Sequence, residues 1–184
     1  YAAQYLIDGN RPKRVWMLYD DVQHCEFDAA LHFDRAATKV TDLTGDGITQ
    51  ATVGYSRTCT SDVSPNEFKL IMHVGKSQKF RLRGLDRVGA AWWDEEAGAL
   101  RGMPLPKDCS VAGQQALVSQ YKEQGTELPL PGCYGDEKDF AKAPEAYLTF
   151  MRQHWFALMQ KQDSDWSQTQ VQPQDPTEDD DTAP

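Results

Sequence analysis

FKLIMHVGKSQKFRLRG, residues 68–84, is the stretch on which the fold turns. Phe68, Leu70, Met72 and Val74 alternate with Lys69, Ile71 and His73, the period of a strand with one face buried. Gly75-Lys76-Ser77 then reverses the chain, and Phe80 and Leu82 resume the inward face. A helix would need apolar residues three and four apart, so the run predicts an antiparallel hairpin.

Outward from this hairpin the same period recurs. Ala51, Val53 and Tyr55 alternate with Thr52, Gly54 and Ser56. Ala29, Leu31 and Phe33 alternate with Ala30, His32 and Asp34, and a short run follows at residues 38–41. RVWMLY, residues 14–19, is rich in β-branched and aromatic types and predicts a strand covered on both faces. Six successive strands joined by short links leave no room for crossover helices, which excludes a parallel sheet. His32 and His73 are expected to face solvent.

Beyond Gly84 the pattern changes. Residues 85–110 hold Trp92, Trp93, Gly98, Gly102, Pro104 and Pro106 and read as loop with one further strand. Residues 112–123 read as a helix closed by Gly125. Pro144 opens a stronger helix, with Glu145 in its first turn. Tyr147, Leu148, Met151, Trp155, Leu158 and Met159 form one apolar stripe, which a meander of this kind needs to cover its inner side. The expected fold class is α+β: an antiparallel β meander sheet packed against C-terminal helices in a single domain.

The 184 residues suit one domain with a substantial core. Residues 162–184 hold seven acids and no Lys or Arg, and carry −7 of the formal −9 charge. Such a segment buries too little apolar surface to offset its ordering entropy. The expected division is therefore a globular domain over 1–161 and an acidic disordered tail over 162–184. The acidity belongs to the tail, and nothing in the charge pattern points to nucleic acid. No apolar run approaches the length of a transmembrane helix. A start at Tyr1 without Met is expected of a processed or trimmed form, and a cleaved export signal would fit it.

Cys25, Cys59, Cys109 and Cys133 lack the CxxC spacing of zinc or redox motifs. Four thiols allow three pairings; Cys25–Cys59 and Cys109–Cys133 are favoured because each joins neighbours along the chain. Paired cysteines imply an oxidising compartment, whereas four reduced thiols would imply the cytosol.

DLTGDGITQ, residues 42–50, reads as a cation loop. Asp42, Thr44 and Asp46 stand at positions one, three and five, Gly47 at the sharp turn, the Ile48 carbonyl at seven and Gln50 at nine. Position twelve is Val53 and a strand follows, so this is no EF-hand. Two carboxylates predict weak Ca2+ binding. The competing reading is a tight turn, with Asp46-Gly47 as a hairpin dipeptide and Asp42 and Thr44 bonded to nearby amides.

TDLTGDG, a following strand that ends in cysteine, CTSDVSP (residues 59–65), FKLIMHVG, RLRG and FAKAPEAYLTFMRQHW together resemble a little-characterised group of bacterial exported proteins, some labelled surface polysaccharide biosynthesis proteins. The resemblance covers roughly residues 14–84 and 139–156. It implies a cell-envelope setting, a link to surface polysaccharide, and a cysteine near Cys25 that supports its pairing with Cys59. It brings no catalytic residue. The 42–50 turn is also similar to the calcium loops of FG-GAP repeats, although Gln50 replaces the usual acid and a single copy makes no propeller.

Other residues carry weaker signals. Lys79, Arg81 and Arg83 share one face of their strand, with Lys69 on the outward side of its neighbour: an anion patch for acidic glycans, a dock for the acidic tail, or a solvated face that discourages edge pairing. Trp92 and Trp93 beside Asp94, Glu95 and Glu96 are a candidate sugar site, because indole stacks on the CH face of a sugar. The four histidines form no HxH or HExxH, and GKS at 75–77 lacks the earlier glycine of a phosphate loop. The expectation is a monomeric, non-enzymatic exported protein, periplasmic or extracellular, acting as a binding or accessory module toward a cell-surface glycan or an envelope protein. The rivals are a carbohydrate-binding or carbohydrate-active protein built on Trp92 and Trp93, and a periplasmic inhibitor.

Overall fold

The quoted run pairs as read, with Phe68 opposite Gly84, Leu70 opposite Leu82, Met72 opposite Phe80 and Val74 opposite Gln78. The computed structural model describes residues 1–62, 64–94, 96, 98–119 and 128–170; side chains at 91–94, 99–101 and 166–170 fall outside that description. The chain makes a first hairpin of β1 (Ala2–Asp8) and β2 (Arg11–Leu18). Next comes a four-stranded antiparallel sheet in chain order: β3 (Asp28–Thr41), β4 (Gln50–Thr60), β5 (Glu67–Val74) and β6 (Gln78–Leu85). A small hairpin of β7 (Ala91–Asp94) and β8 (Ala99–Gly102) precedes α1 (Val111–Val118), a 3-10 turn at Lys138–Phe140 and α2 (Glu145–Gln170). The α+β class and the antiparallel meander are as expected.

One face of the sheet carries the main core. Phe68, Leu70, Met72 and Leu82 pack against Tyr147, Met151, Trp155, Leu158 and Met159 of α2, each contributing about 1.5–3 kcal/mol by leaving water. Gly54 makes the close approach possible, since a Cβ there would fall 2.6 Å from the Ala37 Cβ and 2.9 Å from the Phe68 ring. The opposite face holds a smaller cluster of Ala51, Val53, Tyr55 and Ile71 under Trp16 of β2. Both faces of β4 are thus covered, where alternation predicted one.

Four details differ from expectation. The segments at 29–34 and 38–41 are one strand, β3, whose register breaks between Asp34 and Lys39; there the Asp34 carboxylate accepts the Ala36 N–H at 2.8 Å and bulges the edge. RVWMLY is not covered on both faces: Trp16 packs on the sheet with Ala51, Val53, Tyr55 and Ile71, while Met17 and Tyr19 are exposed. Two strands, not one, form within 85–110. The helix expected over 112–123 spans Val111–Val118, and residues 120–127 lie outside the described ones.

α2 also crosses the composition boundary at 161/162 and runs through Gln170. The contacts explain why: the Arg87 backbone N–H donates to the Gln162 side-chain oxygen at 3.0 Å, and its Nε donates to Asp163 at 2.6 Å. Arg87 further donates to the carbonyls of Pro131 and Met103. Beside it the fully buried Asp86 accepts from Ser56, from the Asn66 backbone and amide, and from Val88 N–H. Residues 171–184 lie outside the described residues.

Candidate functional site

Both favoured disulfides are present, Cys25–Cys59 and Cys109–Cys133. The second organises a cleft. Cys133 continues into Tyr134, which bridges Gly84 at the edge of β6; Leu85 N–H donates to the Cys133 carbonyl at 3.0 Å and Gly135 N–H to the Arg83 carbonyl at 2.8 Å. The disulfide ties this strand-like wall to Cys109, just ahead of α1. Gln114 of α1, 2% exposed, completes the clasp. Its amide donates to the carbonyls of Cys109 and Tyr134, and its oxygen accepts Leu130 N–H.

Between these walls and α2 lies an open cleft of about 550 Å³, lined by Lys107, Asp108, Ser110, Glu137, Arg152 and Phe156 among others. Three of its charges, Asp108, Glu137 and Arg152, hold fixed partners. Arg152 forks onto Glu137 through Nε and Nη2, both at 2.6 Å, and Tyr134 donates its hydroxyl to the same carboxylate at 2.8 Å. The Arg152 guanidinium, followed by the Tyr134 hydroxyl, holds Glu137 below the usual carboxylate range against the opposing effect of burial. Burial first, and Glu137 second, push the Tyr134 phenol up. Asp108 accepts the Ser110 hydroxyl at 2.7 Å and its N–H at 2.8 Å, which holds it low as well. Ser110 Oγ in turn caps α1 by accepting Gly113 N–H at 3.1 Å. Arg152 spends two of its five N–H donors on Glu137 and also lies against the Tyr134 hydroxyl, so part of its donor set stays available to a ligand.

Sequence reasoning passed over this cleft. Its one legible trace is that both cysteines of the pair are followed or preceded closely by acids, Asp108 before Cys109 and Asp136 and Glu137 after Cys133.

The 42–50 loop closes as a turn. Asp42 accepts Gly45 N–H at 2.8 Å and Gly47 N–H at 3.0 Å, and Asp46 accepts Ile48 N–H at 2.9 Å. Gln50 is fully buried. Its oxygen accepts Leu43 N–H at 2.8 Å, and its amide donates to the Ile48 carbonyl at 2.6 Å and to Tyr147 at 3.3 Å. In this arrangement the Ile48 carbonyl, one of the five expected cation donors, accepts from the Gln50 amide, while Asp42 and Asp46 accept backbone N–H groups. Among the described residues no group of three or more His, Cys, Asp or Glu is gathered for a metal.

The basic row is internally paired over most of its length. Lys69 meets Asp20 at 2.6 Å, Arg83 meets Glu67 at 2.6 Å, and Arg81 meets Asp139 at 3.0 Å. Burial raises Asp20, but hydrogen bonds from Lys69 and Tyr55 outweigh it and hold it at about 2. His73, expected at the surface, is 8% exposed and stacks on Trp16 at 4.0 Å. Its Nε2 has no hydrogen-bond partner among the described residues, and burial, then Lys79, push it down to about 4. The β1–β2 hairpin hides this side chain, and β1 was not legible. The side chains of Trp92 and Trp93 lie outside the described ones, as does Glu95.

No family model matches this chain, and neither the curated proteins nor the solved structures contain a match.

Proposed function

We propose that this chain is a non-enzymatic, exported binding module of the cell envelope that takes a hydroxyl-rich glycan in the cleft beside Cys109–Cys133. Two disulfides fit an oxidising compartment outside the cytosol. The observation that carries the reading is the cleft itself, where fixed charges of both signs line one concavity over a cross-linked floor. Asp108 and Glu137, both favoured as carboxylates, accept sugar hydroxyls, while Arg152 and Lys107 donate to ring and hydroxyl oxygens or to a uronate carboxylate. Phe156 offers an apolar surface to a CH face. Because Asp108, Glu137 and Arg152 already hold fixed partners on walls joined by the Gln114 clasp and the disulfide, their ordering adds little entropy cost to association.

A glycan array followed by titration calorimetry tests this. Binding is expected to weaken at least about tenfold in Lys107→Glu and in Arg152→Gln, about 1.4 kcal/mol or more each. An array without hits, or hits that survive both substitutions, would refute it.

A further inference from the structure

The β1–β2 hairpin carries a surface that the cleft does not use. Beyond Trp16 it leaves the sheet, and Tyr5, Leu6 and Ile7 are 52%, 59% and 69% exposed. Neighbouring residues of a strand point to opposite faces, so Leu6 projects on one side of the hairpin while Tyr5 and Ile7 project on the other. A flat protein partner would cover one side only. Opposite these residues stand Arg14, Lys13 and Pro12 of β2, with Arg11 opposite Asp8. Three bases against one acid make this hairpin cationic within a chain of formal charge −9.

We propose that the hairpin tip docks on an anionic phospholipid surface, with Tyr5, Leu6 and Ile7 entering the headgroup–acyl boundary and Arg11, Lys13 and Arg14 meeting lipid phosphates. Charge complementarity selects this occupant, and apolar side chains on both faces suit a wedge surrounded by lipid. The line from Asp20 on Lys69 to Trp16 on His73 runs along β5 toward the Gly75 turn, so the tip extends past that end of the sheet. Lys76 and Lys79 flank the same end and add to its positive field, which Asp42 and Asp46 in the neighbouring loop partly offset. Insertion stops at the boundary region, because the outer edges of a two-stranded ribbon bear unpaired N–H and C=O groups that hydrocarbon cannot satisfy.

Vesicle flotation tests the docking independently of the glycan cleft. The full chain is mixed with phosphatidylcholine vesicles, alone or with about a third phosphatidylglycerol, at low and high salt. Flotation is expected only with the anionic vesicles and is expected to fade at high salt. The double variant Leu6→Ser/Ile7→Ser and the triple variant Arg11→Gln/Lys13→Gln/Arg14→Gln should each lower the bound fraction at least about tenfold with unchanged thermal melting, since these side chains sit in water. Absence of flotation, equal flotation with neutral vesicles, or binding that survives either variant overturns the proposal. So does a wild-type dimer, seen by sedimentation equilibrium without lipid, that Leu6→Ser/Ile7→Ser dissociates, because the surface would then belong to a second copy.

Discussion

Gly84→Ala tests how the wall of the cleft is held. A Cβ at Gly84 would stand 1.9 Å from the Cys133 carbonyl oxygen and 2.5 Å from the Tyr134 Cα. Both are backbone atoms, so no side-chain rotation relieves the overlap, and segment 132–135 has to leave the edge of β6. Three backbone hydrogen bonds go with it: Leu85 N–H to Cys133 O at 3.0 Å, Gly135 N–H to Arg83 O at 2.8 Å and Gly132 N–H to Leu85 O at 3.1 Å. Losing two or three of these at about 1 kcal/mol each, with about 1–3 kcal/mol for overpacking, gives a cost of about 3–6 kcal/mol.

With a slope near ~2 kcal/mol/M, the urea midpoint should fall by roughly 2 M. Gly135→Ala is the matched control. Its Cβ would meet only the Arg83 oxygen, at an ordinary 3.7 Å, and should change stability by no more than about 0.5 kcal/mol. A Gly84→Ala midpoint close to that of Gly135→Ala would refute the packing argument, because the segment would then be shown to yield without loss.

Three further outcomes are expected. Gln50→Glu should lower the melting temperature by an amount equivalent to about 2–3 kcal/mol, because it places a second acceptor against the Ile48 carbonyl in a site with no exposure; an unchanged melt would show that the amide is not anchoring the turn. Wild-type melting at about 10 mM Ca2+ should match that in EDTA, since a native-state ligand must stabilise by mass action; a rise of several degrees would restore the five-donor reading. The folded pKa of His73 lies below its unfolded value, so its stabilising neutral form is fully present above about pH 6.5 and lost as pH falls toward 4, a contribution of at most about 3 kcal/mol. His154 is depressed by burial in the same direction. Urea midpoints should fall between pH 7 and pH 4.5, less steeply in His73→Phe, which keeps a ring against Trp16; equal slopes would remove His73 from the account.

What the sequence exposed and what it hid follow from the range of the interactions. The β5–β6 pairing was legible because four alternating apolar residues and a short glycine turn are local signals, and the stripe on α2 was legible for the same reason. The disulfides were legible through chain proximity. By contrast, Ala2–Asp8 carries no clean alternation, and its strand identity comes from β2 beside it, so the burial of His73 beneath that hairpin was not readable either. Thr52 and Gly54 looked like a solvent side because they are polar or small. In the fold, smallness at Gly54 is what admits Ala37 and Phe68. The cleft was hidden most deeply, since Asp108, Glu137 and Arg152 meet only after a disulfide, a β-bridge and a helix have each been placed.

The 42–50 loop shows how one sequence pattern serves two chemistries, and which residue separates them. Asp42, Asp46 and Gly47 suit a cation loop and a turn equally, because carboxylates that could face a cation also accept backbone N–H groups. Position nine discriminates. A carboxylate there can only accept, which suits a cation and would leave the Ile48 carbonyl opposed by negative charge. The amide of Gln50 accepts from Leu43 and donates to Ile48 at once, which satisfies a buried turn without any ion. Its further contact with Tyr147 ties the loop to the first turns of α2. The residue that weakens the calcium reading in sequence is therefore the one that explains, in structure, why the loop can close on its own.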